Sequence, residues 1–222
     1  MPTALIIGAS RGIGREFVRQ LLANKYKVFA TARDEESLTR LQSEGAQAIR
    51  TDVTVPESLA ELPWRLDGEQ LDLVVYVAGV FESFDGATEP PALAAFDATM
   101  HANVLGAMQS ISLLAPFVTS TTGRFVFITS GMGSIAEAES SMGWIYRASK
   151  AALNMAVHSA SHDYPNITLI TMKPGWVKTD MGGSGAPTSV TDSVAGMLNV
   201  IGKLGLSDSG SFQSYDGRKM AW

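Results

Sequence analysis

Two rhythms of apolar residues alternate along this chain. Short, nearly all-hydrophobic runs predict strands buried on both faces at residues 4–7, 27–32, 48–50, 71–77, 124–130, 166–172 and 212–215. Between them, apolar positions recur at helical spacing. They predict helices over 15–23, 35–44, 92–117 and 193–204, another opened by Pro56, and one running through Tyr146 and Lys150. Strand-then-helix alternation with no linker, repeat or low-complexity break predicts one α/β domain over 1–222. The expected architecture is a Rossmann-type doubly wound parallel sheet in three αβα layers. Ligands of such sheets bind beyond the carboxyl ends of the strands, so chemistry is sought there.

The first strand runs into Gly8-Ala9-Ser10-Arg11-Gly12-Ile13-Gly14 and then a helix. That context suits a dinucleotide turn. Glycine lets the backbone approach a pyrophosphate, and the free N–H groups of the helix start meet its charge. At the end of the second strand an acid would select NAD(H) by holding a ribose hydroxyl. Here Ala32 takes that place and Arg33 follows, which favours the 2′-phosphate of NADP(H), with Arg11 on the same side. A one-residue shift would instead make Asp34 an NAD(H)-type acid. Asp52, after the third strand, is either an adenine contact or a loop cap. Ala78 and Gly79 provide a second close-approach point after the fourth strand.

Composition narrows the partners. The 222 residues are 45% hydrophobic and 18% charged, and net charge is −5. No Lys/Arg cluster offers a nucleic-acid face, and no apolar run is long enough to span a bilayer. Without cysteine there is no disulfide, thiolate nucleophile or Cys-held metal. That fits a reducing cytoplasm, as does an N-terminus without the basic region of a signal peptide. His101, His158 and His162 have no metal-ligand spacing, so no metal is expected. Gly182-Gly183-Ser184-Gly185-Ala186 misses the hydrolase elbow at its last position.

Tyr146-Arg147-Ala148-Ser149-Lys150 sets a phenol and an ammonium four apart, on one helix face. A nearby ammonium favours phenolate, which would lower the tyrosine from its ordinary value of about 10 towards working pH. Such a phenol can serve as general acid or base for an alcohol or carbonyl. Taken alone, such spacing usually means two surface residues, and for Asn103, in the middle of its helix, the plain alternative is surface exposure too.

Taken together, the glycine turn, Asp52-Val53, Tyr146-x-x-x-Lys150 and Pro174-Gly175 resemble the short-chain dehydrogenase/reductase family over essentially the whole chain. Residues 146–154, 174–183 and Tyr215-Asp216-Gly217 resemble its C-factor-like branch, near the sniffer-type carbonyl reductases. The resemblance implies a catalytic set of Asn103, Ser130, Tyr146 and Lys150. Tyr146 would exchange the proton and Lys150 would hold the nicotinamide ribose. Ser130 would bind the substrate oxygen, and Asn103 would keep a water in the relay. It implies a cofactor set of Gly8, Ser10, Arg11, Gly12, Ile13, Gly14, Arg33, Asp52, Val53, Ala78, Gly79, Pro174, Gly175, Val177 and Thr179, together with Tyr146 and Lys150. It also implies a small carbonyl or alcohol substrate and a homodimer or homotetramer formed through the long helices. A C-factor-like chain would alternatively be a cofactor-binding regulatory protein with little turnover. The family usually carries Asn-Asn before Ala-Gly, where this chain has Tyr76-Val77, so the amides that brace the fourth strand have no counterpart here. Residues 181–191 read as a short lid, and the stretch from Ser130 to Tyr146 as a reshaped pocket wall.

Overall fold

The computed structural model of the chain describes residues 1–82 and 86–222. The strands are β1 (Thr3–Ile7), β2 (Lys27–Ala32), β3 (Gln47–Arg50), β4 (Leu73–Tyr76), β5 (Arg124–Ile128), β6 (Thr168–Lys173) and β7 (Phe212–Ser214). They lie in the order β3-β2-β1-β4-β5-β6-β7, every neighbour parallel. The winding reverses between β1 and β4, so a crevice opens where those two strands end.

The helices are α1 (Gly12–Ala23), α2 (Glu35–Ser43), α3 (Pro56–Ala60), α4 (Leu62–Arg65), α5 (Leu93–Met100), α6 (Gly106–Leu114), α7 (Trp144–Ala160) and α8 (Val190–Ile201). Successive strand side chains point to opposite faces, and β1 supplies both cores. Ala4 and Ile6 join Phe17 and Leu21 of α1 and Met197 of α8. Leu5 and Ile7 join Ile111 of α6 and Leu153 of α7 on the other face. Helix starts follow their caps. Asp34 accepts the Ser37 N–H at α2, and Ser189 accepts the Asp192 N–H at α8. That cap starts α8 at Val190 rather than at Ser193, and shortens the expected lid to the residues before it.

The helix expected over 92–117 is interrupted. Between α5 and α6, residues His101–Leu105 form a π-turn, and a 3-10 turn at Ala115–Phe117 ends the run. The loop expected from Phe81 to Pro91 is described except for residues 83–85, which lie outside the described residues. Among the described residues no helix is long and apolar enough to cross a membrane.

Candidate active site

A cavity of about 820 Å³ occupies the crevice. Gly8, Ser10, Arg11, Gly12 and Ile13 form one wall at the start of α1. The glycines are required by geometry. Gly8 has φ +88° and Gly12 φ +53°. A Cβ on Gly8 would stand 2.7 Å from the Ala78 nitrogen, and one on Gly14 would collide with the Gly8 carbonyl oxygen. Gly14 therefore lies outside the lining and acts by letting α1 close on the turn. Thr31 ties the turn to β2, its hydroxyl accepting the Gly8 N–H at 3.0 Å.

Ala32, Arg33, Thr51, Asp52 and Val53 line the far end, where the Thr51 hydroxyl is buried with no hydrogen-bond partner. The structure separates Arg33 from Asp34. Arg33 faces the cavity, whereas the Asp34 carboxylate is taken up by the α2 cap. Asp52 is both lining and cap. It accepts from the N–H and hydroxyl of Thr54 and lies 3.9 Å from Arg33. Burial pushes its carboxyl up, but the Thr54 bonds and the Arg33 charge outweigh that and hold it below the usual range. Arg11 bonds Asp180 at 2.9 Å across the crevice mouth. This glycine-kinked turn, with an orphaned hydroxyl and an arginine at one end, has the shape and donor set that a dinucleotide needs.

At the opposite end the cavity reaches Ala78, Gly79, Tyr146, Lys150, Pro174 and Thr179. Gly175 and Val177 do not line it. Gly175 (φ +85°) turns the chain against the Tyr215 ring, and Val177 is buried and bridged to Thr188. Tyr146 and Lys150 project from α7 and are nearly fully buried. The Lys150 ammonium lies 5.5 Å from the centre of the Tyr146 ring and donates to the Ile128 carbonyl at 3.1 Å. Burial lowers this lysine to about 8.

The expected lowering of Tyr146 is not what the protein does by itself. Burial pushes the phenol up to about 12, opposed by a hydrogen bond with Ser130. The ammonium lies against the ring face rather than beside the hydroxyl, so desolvation wins. Phe81 adds to the burial with its ring edge-on to Tyr146, centroids 4.8 Å apart. Ser130 leaves β5 and accepts the Met132 N–H. It meets Tyr146 without lining the large cavity.

Asn103 is fully buried in the π-turn, contrary to its surface reading. Its Oδ1 accepts the Val80 N–H at 2.8 Å. Its Nδ2 donates to the Val80 carbonyl and the Ser149 hydroxyl, each at 3.0 Å. Ser149 in turn donates to the Tyr146 carbonyl. The missing strand brace is thus supplied from elsewhere, by Asn103 and by Tyr76, whose hydroxyl donates to the Ala102 carbonyl at 2.9 Å.

Sequence reasoning missed Thr31, Thr51, Phe81, Ser149 and Asp180. Only Ser149 and Asp180, inside the quoted 146–154 and 174–183 stretches, carried any signal. His101 also edges the cavity, with Nδ1 bound to the Asp97 carbonyl. The stretch after Ser130 is pinned by the chain's end. Ser134 donates to the Ala221 carbonyl, and the Ala136 N–H to that of Trp222.

A family model for short chain dehydrogenases matches residues 2–189. The chain belongs to that family. It is 41% identical to C-signal from Myxococcus xanthus over 127 residues, covering 56% of this chain and 76% of that protein. The NADPH-bound carbonyl reductase from chicken fatty liver superposes with a TM-score of 0.90 at 31% identity, over 100% of this chain and 99% of that one. Carbonyl reductase Sniffer of D. melanogaster gives 0.92 at 28% identity, with 100% of both chains covered. The similarity therefore falls on the branch that residues 146–154 and 174–183 pointed to. This short-chain dehydrogenase is an oxidoreductase.

Proposed function

We propose that this oxidoreductase is an NADP(H)-dependent carbonyl reductase, reversible as an alcohol dehydrogenase, with Tyr146 as its general acid and base. The observation that carries the reading is buried Tyr146 and Lys150, with half-buried Ser130 bonded to the phenol, set at one end of a cavity whose other end holds Arg33. Gly8, Ser10, Gly12, Ile13 and the α1 start would receive the pyrophosphate, and Arg33 and Arg11 the 2′-phosphate. Asp52, Val53, Ala78 and Gly79 would flank the adenosine, and Pro174 and Thr179 the nicotinamide. Gly14, Gly175 and Val177 act by backbone packing. Hydride is what a bound nicotinamide cofactor supplies. Tyr146, held neutral by burial, donates the proton to the substrate oxygen, which Ser130 orients. The Lys150 ammonium meets the ribose, and its charge favours phenolate once the proton has left. Asn103 fixes the backbone beside them.

The closeness of NADPH-bound carbonyl reductase and of Sniffer supports a small carbonyl substrate. The exposed Leu93, Phe96, Met108 and Met155 support self-association through α5–α7. The reading is completed by a single cytoplasmic domain. Titration with NADPH and NADH, then a carbonyl panel with the preferred cofactor, tests it. Tyr146→Phe is expected to lower turnover by about 10²–10⁴; parent-like turnover overturns the mechanism. The C-signal similarity favours a second reading, a regulatory protein that binds cofactor with little turnover. Tight NADPH binding with no oxidation across the panel would select it.

A further inference from the structure

Tyr76 ends β4 one residue before the crevice and is completely buried. Its ring stacks on Phe127 with centroids 5.8 Å apart, and its hydroxyl donates to the Ala102 carbonyl at 2.9 Å. Ala102 lies in the π-turn, next to Asn103. The approach is close because residue 106 has no side chain. A Cβ on Gly106 would stand 2.7 Å from the Tyr76 hydroxyl and 2.6 Å from the Val53 carbonyl oxygen. Asn103 then spends its amide on both backbone groups of Val80 and on Ser149, which holds the Tyr146 carbonyl. Gly79 completes the contact, since a Cβ there would lie 2.9 Å from the Asn103 Oδ1 and 3.4 Å from the Lys150 ammonium.

We propose that Tyr76 is a positioning residue for catalysis: its hydroxyl locks the π-turn to β4 and so fixes Asn103, Val80 and, through Ser149, the Tyr146 end of α7. Three features carry this. The donor is fully buried, so in the interior its hydroxyl either keeps this bond or stands unsatisfied. The π-turn is a departure from α-geometry that has to be held by something outside the helix, and π-turns of this kind recur at functional sites. Finally, the chain of bonds from Tyr76 to Tyr146 is continuous. A phenol on the strand thus does from one side what paired amides would do from another, which answers the Tyr76-Val77 departure seen in the sequence.

The proposal rests on the carbonyl-reductase reading for its kinetic arm only. Tyr76→Phe removes one oxygen and keeps the ring packing. It is expected to lower kcat about tenfold, the effect of a small misplacement of reacting groups, with the NADPH dissociation constant within about twofold of the parent. Hydrogen exchange at the Val80 amide is expected to speed up about tenfold in the same variant, a readout that needs no turnover. Gly106→Ala, which would push the π-turn off the tyrosine, is expected to reproduce both effects. Should it not fold, Tyr76→Phe decides alone. Unchanged kcat with unchanged Val80 exchange overturns the proposal. So does a loss of kcat matched by an equal loss of NADPH binding and thermal stability, which marks a merely structural role. A parent without carbonyl turnover refutes the proposed function instead, and Val80 exchange then still judges Tyr76.

Discussion

Lys150 is placed for chemistry at the expense of stability, and Lys150→Met measures how much. Burial lowers its pKa from 10.5 to about 8. At about 1.36 kcal/mol per tenfold change in proton affinity, that lowering corresponds to about 3 kcal/mol as an upper figure. The folded pKa lies below the unfolded one, so between about pH 8 and 10.5 the unfolded chain binds more protons. Parent stability from this group therefore rises across that window, and its full cost stands below pH 8. Methionine fills similar space without charge, but it leaves the Ile128 carbonyl without the lysine bond, a loss of about 1 kcal/mol. The variant should thus be more stable than the parent by about 2 kcal/mol at pH 7. It should lose that lead with rising pH and draw level with the parent near pH 10. Urea unfolding of both proteins at unit intervals from pH 6 to 10 reads the difference, in which titrations common to both cancel. A stability difference that does not change with pH would refute the assignment of a desolvated, charged lysine, and a variant less stable at pH 7 would refute its sign.

Arg33→Ala is expected to weaken NADPH binding about tenfold or more while leaving NADH within about twofold, because a 2′-phosphate would lose charge-assisted bonds that NADH never makes; fluorescence titration with each cofactor checks it. Phe81→Ala uncovers the phenol that burial holds near 12, so the Tyr146 pKa should fall towards 10, read as the ultraviolet difference titration against a Tyr146→Phe control. An unchanged titration would mean that the rest of the pocket, not Phe81, desolvates the tyrosine.

Much was legible in the chain itself because it depends on local rules. Seven apolar runs alternating with helical spacing fix an α/β sheet, since strands buried on both faces must be hydrophobic throughout. The glycine turn was legible because only glycine tolerates the backbone angles and contacts at Gly8 and Gly14. That Tyr146 and Lys150 share a helix face was legible from their spacing, and the family motifs around them gave the pair its role. What the sequence could not supply was burial and direction. By its helical position alone Asn103 read as a surface residue, and only the family resemblance put it in the catalytic set; the π-turn that buries it is held by Tyr76 from a strand 26 residues away. Spacing favoured Arg33 but left Asp34 open through a one-residue shift, until the α2 cap took the carboxylate. The Tyr146 pKa went the opposite way from the pairwise expectation, because desolvation by the whole pocket exceeds the pull of one ammonium lying over the ring. Spacing along one helix determines which groups can meet. Only the packing of β4, the π-turn and α7 against one another decides how much water is left when they do.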